Sequence, residues 1–342
     1  MRQIARFVAI GYFAVVGIAA VLQLIGLTQF TAPFNLIPAR ARPPLVVNLV
    51  YSSEQREWLT AAAQQFAAGQ PTVRGRPIQI NLQSRGSQAI IAELDQLKPV
   101  GIIPASSAQI TRLAQSGSAR LAGGPNAPQP IALSPLVLVG WKERVDLLFP
   151  QGQTNAWSRL HDAILKTNWS DPSLGGKSEW GPVKWGHTSP RTSNSGAETL
   201  VLLAYAFSNK AQGLSSGDIN NPAFQAWLQE IESGVGDFPD SSDTLFSAFL
   251  ARGPSAYDVV TAYENQAVLG VERAKKWGEL EVLYPSATVL SDHPFAILDA
   301  AWVTPEQQDA ARAFRDYLLS EPAQRLALRY GFRPANAAVS LT

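Results

Sequence analysis

Residues 185–207 read Trp185-Gly-His-Thr-Ser-Pro-Arg-Thr-Ser-Asn-Ser-Gly-Ala-Glu-Thr-Leu-Val-Leu-Leu-Ala-Tyr-Ala-Phe207: a short strand-like run, a hydroxyl-rich loop, then an apolar helix. Ser195 and Glu198, three residues on, have the form of a capping box, and Leu200 to Phe207 is the apolar run behind it. A helix start offers unpaired backbone N–H groups and the positive end of the helix dipole. Thr192, Ser193 and Asn194 therefore stand where a negatively polarised oxygen is favoured. A single capped helix is ordinary; the order strand, serine loop, helix decides the fold because it recurs.

Leu45-Val-Val-Asn-Leu-Val-Tyr51 has the pattern of a buried strand and stops at Ser52-Ser53. Ser52 and Gln55 form a second apparent capping box, with Trp58, Ala62 and Phe66 at helical spacing after it. Pro77 to Leu82 alternates with period two and leads through Gln83-Ser-Arg-Gly-Ser87 into a helix over 88–97. Val100 to Ile103, Pro104-Ala-Ser-Ser107 and a helix over 108–113 make a third unit. This alternation predicts right-handed βαβ units and a largely parallel sheet, with the three serine loops together at the carboxyl ends of the strands, where ligands collect. Pro130 to Trp141 is a long apolar strand broken by Ser134-Pro135, suited to passing between two lobes. Helices are expected over 155–166, 222–233, 243–251 and from Glu264 to Trp277, and strands over 256–263, 279–285, 287–290 and 293–299. Two C-terminal helices follow, the first with Thr304 as N-cap, Pro305 at N1 and Gln307 at N3, the second stopped by Gly331.

The chain of 342 residues is long enough for two domains, and its 46% hydrophobic content specifies a folded protein. A net charge of +1 without a Lys/Arg run excludes nucleic acid as a partner. With no cysteine there is no disulfide, thiolate metal site or cysteine-linked lipid. Phe7 to Leu27 is an apolar stretch preceded by Arg2 and Arg6, of a length that spans a bilayer. The expectation is an uncleaved anchor (1–27), with a cleaved signal segment as the alternative, then a proline-rich stalk (28–44) and an exported remainder.

Taken in order, Tyr51-Ser-Ser-Glu54, Ser84-Arg-Gly-Ser87, Thr192-Ser-Asn-Ser-Gly196, Ala262-Tyr-Glu-Asn265, Ser291-Asp-His-Pro-Phe295 and Tyr330-Gly-Phe-Arg-Pro334 resemble the bacterial extracellular solute-binding proteins of the type II periplasmic-binding fold, near the branch that includes molybdate-binding proteins. The likeness runs from about residue 45 to 337. It implies a two-lobed α/β fold with two crossover segments, preceded here by one N-terminal transmembrane helix. Lobe I is expected over 45–137 plus 286–342 and lobe II over 138–285. Carried over by position, Ser53 and Ser87 are the ligand-facing hydroxyls of lobe I, Thr192, Ser193 and Ser195 those of lobe II, and Tyr263 the tyrosine of the last cleft loop; Ser107 and Ser134 follow by position. Arg85 stands where glycine or serine is expected, as a clamp on an acidic ligand or a solvated loop residue. Glu264 points toward a cationic or hydroxylated ligand, or is a helix-start acid.

The implied function is capture of a small polar or anionic solute by a membrane-tethered monomer that serves a permease or a sensor, without catalysis, cofactor or metal. An anchored envelope interaction module on the same fold is the alternative. A hydrolase is the weaker one, because Gly213-Leu-Ser-Ser-Gly217 matches G-x-S-x-G without the strand and helix that motif needs. His161, His187 and His293 stand apart and form no metal-binding pair.

Overall fold

The computed structural model describes residues 2–24, 43–117, 120–150 and 155–341, and within residues 2–24 the side chains of 11–22 only. Its main elements in chain order are α1 (Arg2–Leu24), β1 (Leu45–Ser52), α2 (Arg56–Ala68), β2 (Arg76–Arg85), α3 (Ser87–Ala92), β3 (Gly101–Ile103), α4 (Ser107–Ser116), β4 (Ala132–Trp141), α5 (Asn194–Ser208), α6 (Ser242–Arg252), β5 (Val259–Tyr263), α7 (Glu264–Arg273), β6 (Pro294–Asp299), α8 (Pro305–Leu318) and α9 (Glu321–Arg329). The run expected to anchor the chain continues past α1 to Leu27, and its end and the stalk over 28–42 lie outside the described residues. Among the described residues no helix is long and apolar enough to cross a membrane.

Two sheets form. In the first, β1 lies between β2 and β3 and runs parallel to both, while β6 pairs antiparallel with β3. Strand periodicity explains its burial. Val47, Leu49 and Tyr51 face one way onto Trp58, Leu59 and Phe314, and Val50 faces the other way onto Ile90, Leu94 and Leu113. The register sets Ser52 beside Arg85, so the loops that follow β1 and β2 leave the sheet side by side.

In the second sheet β4 runs antiparallel to β5, from Leu136 opposite Tyr263 to Gly140 opposite Val259, and the short strand Trp185–Gly186 lies parallel on the far side of β5. The expectation of a largely parallel sheet, drawn from the three strand–loop–helix units, holds for β1 to β3, and the strands over 280–299 run antiparallel to their neighbours. β4 runs against both its neighbours, β5 and Leu280–Leu283, although helices separate β4 from β5 in the chain. Nor is β4 interrupted at Ser134-Pro135: Ser291 and Leu290 pair with that dipeptide and carry the strand through. The C-terminal helices start and stop as read, with a Thr304–Gln307 capping box and Gly331 at φ 77°.

β5 is fixed at its entry by Asp258, which is completely buried and accepts hydrogen bonds from Arg144 Nε at 3.0 Å, Trp169 Nε1 at 3.1 Å and the Lys184 amide at 2.7 Å. The Arg144 guanidinium also lies over the Trp180 ring. Replacing Asp258 by alanine strands a buried guanidinium, so Asp258→Ala is expected to cost about 3–5 kcal/mol of stability. Urea unfolding measures this, and a loss under 1 kcal/mol would show that the pair does not hold the second sheet together.

Candidate functional site

Helix starts from both sheets meet between them. The first sheet supplies the short 3-10 turn Ser53–Gln55 ahead of α2, and α3; the second supplies α5 and α6. The contact is direct. The Thr192 carbonyl accepts the amides of Gln88 at 3.0 Å and Ala89 at 3.2 Å, which are free donors in the first turn of α3. Gly86 makes the approach possible, because a Cβ at that position would lie 2.3 Å from the Thr192 carbonyl oxygen. Alongside, the Asp243 amide donates to Ser53 Oγ at 3.2 Å.

Behind these contacts lies a buried polar core. In its first half Ser87 Oγ donates to Ser52 Oγ at 2.9 Å, and Ser52 Oγ donates to Glu54 Oε2 at 2.6 Å. His293 Nε2 donates to Glu54 Oε1 at 3.1 Å, and Asn265 Nδ2 reaches the Glu54 carbonyl at 3.0 Å. In the second half Ser195 Oγ lies 2.8 Å from Thr188 Oγ1, 3.1 Å from Ser193 Oγ and 2.9 Å from Ser242 Oγ. Asn194 Nδ2 donates to the Tyr263 hydroxyl at 3.1 Å, and Gln109 Nε2 donates to Asn194 Oδ1 at 3.0 Å, joining the halves. Glu198 accepts Ser291 Oγ on both oxygens at 2.9 Å. Burial pushes the Glu198 carboxyl up to about 7, against the pull of Ser291, Asn194 and His293. Burial also raises the Tyr263 hydroxyl well above its ordinary value, so it stays a neutral hydrogen-bonding group.

The structure brings some of the expected site residues together and places others elsewhere. Ser53, Ser87, Ser193, Ser195 and Tyr263 all lie buried at this junction. The Ser87 hydroxyl also accepts the Ala105 amide at 3.0 Å and so pins two loops of the first sheet. Thr192 contributes its carbonyl, while its hydroxyl has one long bond of 3.4 Å to Asp240. Ser134 holds the Asn265 amide at the start of α7. Ser107 pairs with the Asp292 carboxylate by its amide and its hydroxyl. Arg85 is half-exposed and pairs with Glu93 at 3.3 Å, the arrangement of a solvated loop residue. Glu264 is taken up by Arg333, which holds both its oxygens at 2.7 Å, and by the Tyr284 hydroxyl.

Two expected capping boxes are corrected. α5 begins at Asn194 with Ser193 in the cap position and no side-chain cap; Ser195 lies inside the first turn, and Glu198 turns to Ser291. Ser52 likewise makes no cap, because its hydroxyl goes to Glu54. In both places a through-space partner outcompetes the local amide. Glu54, Gln109, Asn265 and His293 are the site residues that spacing did not single out, while Asn194 and Glu198 were read as parts of a helix start. The clearest mark on any of them is His293 at φ 40°, visible only in the backbone. Ser215 caps the four-residue helix Ser216–Ile219 in an exposed capping box with Asp218, the surface-loop role. Its hydroxyl donates to Asp218 at 2.7 Å. His187 is held between the Thr188 carbonyl and Glu232. Among the described residues no group of three or more acidic or histidine side chains could hold a metal ion.

A family model described as "Bacterial extracellular solute-binding protein" matches residues 47–333. The sulfate-binding proteins of Salmonella typhimurium and Escherichia coli are 23% and 22% identical over 189 residues, 55% of this chain and 49% of theirs, so the chain spans about half the length of the curated relatives it matches. A sulfate-binding protein from Mycobacterium tuberculosis superposes with a TM-score of 0.60 at 21% identity, covering 86% of this chain and 88% of that one. A periplasmic binding protein from Actinobacillus pleuropneumoniae with fructose-6-phosphate bound gives 0.62 at 14% identity, covering 87% of each chain. At these identities the superpositions establish the two-sheet type II periplasmic-binding fold.

Two substitutions probe the junction. Gly86 has an ordinary extended backbone, φ −69° and ψ 144°, so alanine adds no backbone strain there, and the nearest atoms its Cβ would meet are the Thr192 and Asp240 carbonyls. Gly86→Ala should leave circular dichroism unchanged and increase the radius of gyration in small-angle scattering; an unchanged radius would show that the contact yields locally. Glu198 gives a pH signature. A carboxyl raised on folding binds more protons folded than unfolded, so its burial costs nothing at low pH and destabilises progressively from about pH 4.5 to about pH 7. Glu198→Gln should therefore match the parent at pH 4.5 and exceed it at pH 8, by on the order of 3 kcal/mol. Parallel pH–melting curves for the two proteins would contradict the assignment.

Proposed function

The chain belongs to the bacterial extracellular solute-binding proteins, and on that premise we propose that it captures a small polar or anionic solute between its two sheets for uptake or sensing. The observation that carries this reading is the meeting of hydroxyl-bearing helix starts from both sheets over one buried polar core. Neutral hydroxyls and helix-start amides satisfy a dehydrated polar ligand without a full counter-charge. The sulfate-binding relatives support an oxyanion among the candidates. In this reading the lobes comprise residues 45–137 plus 286–342 and 138–285, β4 and the segment leading into β6 act as hinges, and Phe7 to Leu27 tethers the monomer to a membrane beside a permease or sensor.

One observation favours a second reading. The first turn of α3 already receives a protein carbonyl, that of Thr192, where a ligand oxygen would sit. An interaction module that no longer opens its cleft would look the same. Thermal unfolding of the full chain against oxyanions, sugars, amino acids and amines separates the two. A true ligand at about 100 times its dissociation constant adds about 2.7 kcal/mol. No shift from any class, with the purified protein shown ligand-free by mass spectrometry, would reject solute capture in favour of the interaction module.

A further inference from the structure

Beside the polar core, a cavity of about 80 Å³ opens between the sheets and is lined from both of them. Its charged residues are Glu54, Glu57 and Asp243 against Arg56 and Arg273. Both arginines are already matched: Arg273 holds the two Glu57 oxygens at 2.6 Å each, and Arg56 lies 3.1 Å from Asp243. Glu54 has no arginine or lysine partner among the described residues: its side chain is fully buried and is held by hydrogen bonds from Ser52 Oγ and His293 Nε2, so the lining carries one acidic group more than basic ones.

The same cavity is lined by Gln266, which is 6% exposed and whose Oε1 has no hydrogen-bond partner. A buried amide oxygen left without a donor is costly, and a ligand that brings a donor relieves it. Trp58, Phe246 and Phe332 supply an aromatic side to the cavity, the Trp58 and Phe332 rings packed on each other at 5.2 Å. Aromatic lining, an excess of one acidic group and an unsatisfied acceptor together match a cation with N–H donors. A bare oxyanion would meet repulsion here. Trp58 Nε1, also without an acceptor, can serve an oxygen on the same solute.

We propose that this cavity is a subsite for a protonated amine, so that the solute carries an ammonium group in addition to the polar or anionic group that meets the helix starts. The inference rests on the solute-binding reading and narrows it. The test is calorimetric titration of the full chain with ethanolamine and phosphoethanolamine, and with the amine-free ethylene glycol, phosphate and sulfate, at matched ionic strength. The amine-bearing members should bind at least about tenfold tighter than their counterparts. Gln266→Met, which keeps the volume and removes the acceptor, should weaken amine binding roughly tenfold without lowering the melting temperature of the free protein. Binding confined to sulfate, phosphate or other amine-free solutes would overturn the amine subsite and leave solute capture standing. Amine binding that Gln266→Met does not weaken would also overturn it, and no binding by any class of solute would sink both.

Discussion

The Thr192 carbonyl seated on the first turn of α3 is the contact on which the arrangement of the two sheets depends. It satisfies two amides that α3 cannot satisfy itself, and it reaches them because residue 86 has no side chain. With that distance fixed, the other bridges fall into range: Ser53 with the Asp243 amide, Arg56 with Asp243, Glu57 with Arg273, Gln109 with Asn194, and Asn265 with the Glu54 carbonyl. Each contributes about 1 kcal/mol or less on its own, and the ion pairs are half-exposed. A closure built from many small terms around one backbone contact is one that a modest ligand affinity can control.

What the closure encloses is acidic and rich in hydroxyls. Glu54 and Glu198 are both buried, and the nearby Glu54 adds to the burial that raises the Glu198 carboxyl. The hydroxyls of Thr188, Ser193, Ser195 and Ser242 form a cluster in which either partner of each bond can donate. Such a cluster can turn to offer protons or lone pairs as the solute requires. Glu264, by contrast, is neutralised by Arg333 and Tyr284, which keeps its charge out of the junction.

Much of the fold was legible. The helical spacing of Trp58, Ala62 and Phe66 and the alternation from Pro77 to Leu82 correspond to α2 and β2, and the C-terminal cap and stop residues act as read. Parallel pairing was legible only where a helix joins consecutive strands, because local periodicity carries no information on how β4 meets β5 across a long separation. Several of the hydroxyls expected at the site do converge, since a serine that ends a strand of a parallel sheet has only one edge to occupy. Ser107, Ser134 and Glu264 follow the same local pattern and are claimed by Asp292, Asn265 and Arg333, partners distant in the chain.

The amino-acid sequence by itself determined that strands ending in serine lead into helices, that the core is apolar on alternating positions, and that hydroxyls rather than cations crowd the helix starts. Those properties follow from side-chain periodicity and from the unpaired amides of any helix start, and both are local. The tertiary structure alone decided which hydroxyl caps, which bridges and which faces the junction, and that Glu54, Glu198 and His293 share one buried core. Hydrogen-bond partners there are chosen by burial, where leaving a polar atom unmatched costs more than breaking a local cap. That competition exists only once the two sheets have met.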